Sequence, residues 1–310
     1  RADGTAITGL PNLAGDKGMA FADEEPIDLF GNELELDTYG ADMEGIVRAG
    51  DGSYWMVDEY RPAIYHFDEV GVLIDRFVPE GSNNEEEGIE VGVEALPEVL
   101  GQRRANRGFE AVALVGDTLY AFIQSPIDDP DVGHDANSKA GTYIRIVEFG
   151  TAVGETTGQY LYKIDGDGVD KIGDAVALED GTMLVIERDS AVGPEAKKFI
   201  YHIDLSEATN IHEMDLPVGL ELQNDLGVAL AGVRPVAKEL FVDLAALGYT
   251  QGDKPEGLAL VDKNTLAVLN DNDFGLLGTF DPATGLLDEN PEPIPVVFGL
   301  ISLRNSGLDA

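Results

Sequence analysis

Carboxylates recur at matched positions along this chain. Glu44, Glu110, Asp174 and Glu256 each open a short apolar run, Glu44-Gly45-Ile46-Val47, Glu110-Ala111-Val112-Ala113, Asp174-Ala175-Val176-Ala177 and Glu256-Gly257-Leu258-Ala259. A polar cluster follows each about a dozen residues on: Asp58-Glu59, Gln124-Ser125, Glu187-Arg188-Asp189 and Asn270-Asp271-Asn272-Asp273. Two unit charges about 4 Å apart repel by several kcal/mol in a partly buried setting, so acids brought together must protonate, splay apart or bind a cation. Hard oxygen donors, with no cysteine and four scattered histidines, select calcium, ahead of magnesium or manganese, over zinc. The expected ligands are Glu44, Asp58, Glu110, Asp174, Glu256, Asn270, Asp271 and Asp273. Around such an ion Glu59 or Glu187 would take the proton of an attacking water, while Arg61, Arg188 and Lys254 would neutralise charge on a substrate. A plainer reading also accounts for these residues: acids at strand starts cap turns or pair with Arg61, Arg107, Arg188 and Lys254.

Such acids need strands to hold them. Between each opener and its cluster stands a turn, Asp51-Gly52, Gly116-Asp117, Asp180-Gly181 or Asp262-Lys263-Asn264, of the kinds that reverse a hairpin. Returning strands are expected over 54–57, 119–123, 183–186 and 266–269. A hairpin sets its second strand beside the start of its first, so one rim collects every opener and every cluster. The runs 64–68, 160–165, 200–204 and 277–281 read as third strands, and 72–77 as a fourth. Units of four antiparallel strands, 64 to 82 residues apart, are blades of a β-propeller. The expected fold is therefore all-β, a β-propeller of four-stranded antiparallel blades, six or seven in number, four of them legible. Residues 1–310 form one domain, with an irregular lead-in over 1–42 and insertions near 79–105 and 126–141; insertions in repeat folds often lie on the binding face. Inside the first, 93–100 reads as a short helix broken at Pro97.

With 59 acidic against 20 basic residues the net charge is −39, which repels nucleic acid and anionic membranes and attracts divalent cations. A hydrated surface suited to seawater or brine accounts for most of it. No stretch approaches the 18 or so apolar residues of a bilayer span, so no membrane insertion is expected. Without cysteine there is no disulfide and no thiolate metal site. The chain starts at Arg1, as expected of a processed part of something longer, and other segments of that parent are expected partners.

Other features carry less. The segment 165–170, Asp-Gly-Asp-Gly-Val-Asp, resembles the start of a calcium loop but lacks the distal Glu and reads as a turn. His66 and His202 hold equivalent strand positions and read as packing residues; His134 lies in a polar loop and His212 stands alone. Trp55 is expected to pack between blades. No Gly-x-Ser-x-Gly elbow anchors a serine-hydrolase triad.

The wording of the repeats resembles a known family. Asp42-Met43-Glu44-Gly45-Ile46 with Trp55-Met56-Val57-Asp58-Glu59-Tyr60, then Asn106-Arg107-Gly108-Phe109-Glu110-Ala111, Leu184-Val185-Ile186-Glu187-Arg188-Asp189, Lys254-Pro255-Glu256-Gly257-Leu258 and Leu269-Asn270-Asp271-Asn272-Asp273-Phe274 are similar to the phytase-like domain family with esterase-like activity. The resemblance runs from about residue 28 to 281. It implies a β-propeller, secreted or periplasmic, related to metal-dependent phosphoesterases. Members carry a further blade-like segment before the first Glu-Gly, for which this chain has little room.

The expected function is thus a calcium-dependent hydrolase of phosphate esters, extracellular or periplasmic, in a marine or saline setting, acting on a small anionic substrate at the acidic mouth of the channel. Two other readings stay open: a non-catalytic, calcium-stabilised propeller module that binds a partner, and a calcium-dependent lactonase or carboxylesterase. Acid is expected to release the metal and lower stability below about pH 4 to 5, where carboxylates titrate.

Overall fold

The computed structural model describes residues 1–12, 26–28, 30–84, 86, 88–128, 136–165, 168–217, 219–281, 284–289 and 292–304; His134 and the Gly166-Asp167 pair lie outside them. Four sheets succeed one another along the chain, each opened by one of the expected hairpins. Blade I holds β1 (Met43–Arg48), β2 (Tyr54–Asp58), β3 (Ala63–Phe67), β4 (Leu73–Pro79) and a fifth strand, β5 (Val93–Leu96), which adds parallel to β4. Blade II is β6 (Phe109–Val115), β7 (Thr118–Ile123), β8 (Tyr143–Gly150) and β9 (Glu155–Lys163). Blade III is β10 (Lys171–Ala177), β11 (Met183–Arg188), β12 (Lys198–Asp204) and β13 (Ala237–Asp243). Blade IV pairs β14 (Pro255–Asp262) with β15 (Thr265–Asn270); a two-stranded hairpin, β16 (Leu276–Asp281) and β17 (Leu286–Glu289), then precedes β18 (Phe298–Ser302), which returns to pair with β15.

First strands pack on first strands, β1 on β6, β6 on β10 and β10 on β14, so they form the inner wall of a four-blade propeller arrangement. Apolar layers fill the wedges between blades. Val57, Phe109, Val112 and Phe149 fill the first, Phe122, Ile146, Ile172 and Val185 the second, and Leu184, Ile186, Leu258 and Leu266 the third. Trp55 lies in the first layer, its indole stacked on His66 at 4.0 Å. His202 bonds Thr182 across blade III at 2.8 Å.

Of the six or seven blades expected, the described residues build four. Three local expectations are corrected. The run 160–165 belongs to the fourth strand of blade II, because the insertion after Ile123 returns as β8 and takes the third place. The run 277–281 pairs with β17 instead of β15, and β18 supplies the third strand of blade IV. In place of a helix over 93–100 there is the strand β5 and a 3₁₀ turn over Glu98–Gln102; Pro97 has no N–H to continue the strand. Among the described residues the α-helices are α1 (Ala136–Lys139) and α2 (Asp225–Ala231), the latter capped by the Asn224 side chain on Gly227 N at 2.9 Å and stopped by left-handed Gly232. Among the described residues no helix is long and apolar enough to cross a membrane. Among the described residues blade IV ends at β18, where Phe298 is 63% exposed and Leu300 62%, with Leu269 alongside Phe298 on β15.

Candidate functional site

Every inner strand breaks register at its opening acid. Pairing skips between Met43 and Ile46, Phe109 and Ala111, Ile172 and Ala175, and Pro255 and Gly257. Each skip is a β-bulge, which sets an extra residue against the partner strand and re-aims its side chain. In blades I, II and IV that residue is Glu44, Glu110 and Glu256, immediately after the last paired position. The three glutamates line a cavity of about 670 Å³ at the end of the inner strands.

Blade III departs by one residue. The position after Ile172 is Gly173, where a Cβ would collide with the Pro255 carbonyl oxygen, and the acid comes next, at Asp174. Slipping one place along a strand sends a side chain to the opposite face. Asp174 accordingly turns into the seam with blade IV and accepts Leu258 N at 2.6 Å and Ala175 N at 2.7 Å. Burial, working against those two bonds, pushes its carboxyl up to about 8.

The cavity has two chemical halves. On the blade I side, Asp42, Glu44 and Glu59 each offer a carboxylate oxygen, all within 4.8 Å of one another. Burial first, then the charges of Glu110, Asp42 and Asp271, push Glu44 up to about 9; burial and the neighbouring Glu110 and Glu44 carry Glu59 upward as well. Three hard oxygens so placed are short of positive charge, and the donor set fits a calcium-type ion. On the blade II and III side stand Arg107, Lys171 and Arg188. Burial, Arg107 and Arg188 together bring Lys171 down to about 8. Arg188 is 1% exposed; Nη2 donates to Glu256 and lies 3.6 Å from Glu110, while Nε and Nη1 have no hydrogen-bond partner.

Between the halves, the amide of Gln124 donates to Glu59 at 2.7 Å and to Glu110. Burial raises Glu110 to about 7 against the pull of Arg188. Lys254 bonds Asp271 at 2.6 Å and Asp273 at 2.5 Å; although burial works the other way, that contact holds Asp271 below the usual carboxylate range. Asn106, with a left-handed φ of +52°, also reaches the wall.

Of the residues expected at the rim, the structure brings Glu44, Glu59, Glu110, Arg188, Lys254, Glu256, Asn270, Asp271 and Asp273 to this one cavity. Asp58, Arg61, Asp174 and Glu187 are outside its wall. Asp58 is fully buried and accepts Asp42 N, Tyr60 N and the Tyr65 hydroxyl, with Arg61 buried nearby. Glu187 lies between blades II and III, bonded by Tyr162, Lys238 and Asp165 N. The alternation along β11 explains the split: Glu187 and Arg188 are successive residues and face opposite ways. Asn270 is tied by its side chain to Val297 N at 2.6 Å and to Asp253. Sequence reasoning left out Asp42, Lys171 and Gln124 as site residues. Lys171 had a signal in principle, since it opens β10 in register with Arg188.

The family described as phytase-like, esterase-like activity of phytase, matches residues 3–274. An uncharacterized secreted protein of Arthroderma benhamiae is 28% identical over 149 residues, which are 41% of this chain and 29% of that protein, so the match spans under a third of the relative. Among solved structures, hydrazine synthase of Kuenenia stuttgartiensis is 14% identical with a TM-score of 0.39, covering 78% of this chain and 57% of that one. Virginiamycin B lyase of Staphylococcus aureus is 13% identical with a TM-score of 0.31, over 87% and 77%. Likenesses this distant bear on no reaction.

Proposed function

The chain belongs to the phytase-like family, described by the esterase-like activity of phytase, and from that premise we propose that it is a calcium-dependent hydrolase of small phosphate esters. The observation that carries the reading is the division of one cavity into a carboxylate trio and a cation trio. Asp42, Glu44 and Glu59 would hold the ion. A calcium ion held there would supply Lewis-acid polarisation of a phosphoryl oxygen and a lowered pKa for a bound water.

The chain's own groups do the rest. Arg188, anchored by Glu110 and Glu256, keeps two buried nitrogen atoms for phosphoryl oxygens, and a planar guanidinium matches that geometry. Arg107 and Lys171 add charge to offset what develops as the ester bond breaks. Glu110, poised at about 7, has the proton affinity suited to accepting a proton from water near neutral pH. Lys254 keeps Asp271 and Asp273 paired at the far wall. A secreted relative supports a location outside the cytosol.

Phosphomonoester and lactone panels, each with calcium and with chelator, test this. Phosphate release that disappears with chelator and falls by about a hundredfold or more in Arg188→Lys, from loss of a bidentate charged contact, supports it. Cleavage of lactones alone points to a lactonase. No turnover, with a melting temperature that still depends on calcium, leaves a binding module.

A further inference from the structure

Gln124 stands just past the end of β7, buried between the carboxylate half and the cation half of the cavity. Its side-chain nitrogen spends both protons on acids: Nε2 donates to Glu59 Oε1 at 2.7 Å and to Glu110 Oε2. Its Oε1 accepts from Arg107 Nη1. The reverse orientation would set a carbonyl oxygen against two carboxylates and an amino group against a guanidinium, so this network admits one orientation of the amide. Glu110 Oε1, 3.6 Å from Arg188, is left without a hydrogen-bond partner.

The main chain carries a parallel relay. Gly108 N donates to Glu59 O at 2.8 Å, Gln124 N to Gly108 O at 2.9 Å and Ile172 N to Gln124 O at 2.9 Å, which ties blades I, II and III together at this rim. A Cβ at Gly108 would collide with the Glu59 carbonyl oxygen, so glycine is what lets the segment carrying Arg107 lie against Glu59. Because N–H···O bonds keep to about 2.7 to 3.2 Å, a planar amide bonded at both ends cannot shift one partner and leave the other.

We infer that Gln124 is a positioning residue that sets Glu59 and Arg107 in one relation, so that the metal half and the anion half of the cavity bind cooperatively. The inference rests on the reading above, with the ion on Asp42, Glu44 and Glu59 and the phosphoryl group facing Arg107 and Arg188. An ion held by Glu59 steadies the amide and, through its carbonyl oxygen, the Arg107 guanidinium. By linkage the anion strengthens calcium binding by the same factor.

Calorimetry on the whole chain tests this, with calcium alone and with methylphosphonate, an ester mimic whose C–P bond is not hydrolysed, in the presence and absence of calcium. In the calcium-loaded protein Arg107→Met and Gln124→Met should each weaken methylphosphonate about tenfold, the worth of a charged contact. Together they should cost little more than either alone, since both remove the same placed guanidinium. The gain in methylphosphonate affinity on adding calcium should shrink by about threefold or more in Gln124→Met. Gln124→Asn, with the amide drawn back by one carbon, repeats both readouts if the methionine variant does not fold. Losses that multiply to about a hundredfold in the double variant, or an undiminished calcium effect, overturn this inference alone. A wild-type chain that fails to bind calcium or methylphosphonate overturns the assignment of the cavity instead.

Discussion

Glu44 shows how burial among acids can keep a single carboxyl protonated at the proposed metal site. Held at about 9 by burial and by its acidic neighbours, it carries a proton at neutral pH, and an arriving divalent ion must displace that proton. Glu44→Gln copies the protonated form. It should leave the melting temperature in chelator nearly unchanged and weaken calcium binding by about tenfold or more, through loss of a charged ligand, as read by calorimetry. Arg188 is the opposite case. Its removal as Arg188→Met leaves Glu110 and Glu256 without their buried partner and should cost about 3 to 5 kcal/mol in urea denaturation; a loss under about 1 kcal/mol would show that the pair is better hydrated than its burial implies.

At the scale of the strand, the bulge at each opening acid decides which carboxylates meet. The hairpins, their turns and the shared rim were legible because Gly, Asp and Asn punctuate alternating apolar runs. The bulges were not, since an extra residue in one strand changes the direction of a side chain without changing the pattern of residue types. Glu256 and Asp174 look alike as strand openers, yet Gly173 moves the second by one place and into the seam. The strand order of blades II and IV was hidden for a different reason: insertions displaced the third strand far along the chain. Asp174 therefore acts between blades. Asp174→Asn keeps an acceptor for Leu258 N and should lower stability by less than about 1 kcal/mol, whereas Asp174→Ala strands that N–H and should cost about 1 to 3 kcal/mol. Neither should change calcium affinity, and a drop in that affinity would place Asp174 at the metal after all.

Taken whole, the molecule stores protons. Glu110 and Asp58 at about 7, Asp174 at about 8 and Glu44 at about 9 all lie above the roughly 4 of an unfolded carboxyl. The native state then binds protons that the unfolded chain has released, so what these four groups add to stability in chelator is fullest below about pH 4 and falls as pH rises toward 9, whereas Asp271, held below the usual carboxylate range, gives up its own contribution in acid. Calcium bound as proposed would reverse the trend, because the ion takes the deprotonated groups and its stabilisation would grow over the same interval. For the proposed metal site, the window for acid release would thus lie above the pH 4 to 5 expected from the sequence. Melting curves at pH 6 and pH 9, with and without calcium, check this: the gap between them should widen with pH. Self-repulsion from the −39 charge adds to the burden, and sodium chloride should raise the calcium-free melting temperature by screening it.

That same screening has a cost at the rim of blade IV. The outer edge of β18 and the oily flank formed by Phe298, Leu300 and Leu269 make a surface onto which a foreign strand could zip, and like charge keeps neighbouring molecules at arm's length. Brine would dissolve that standoff, so light scattering should register clumping as ionic strength climbs, and a lysine in place of Phe298 should abolish it.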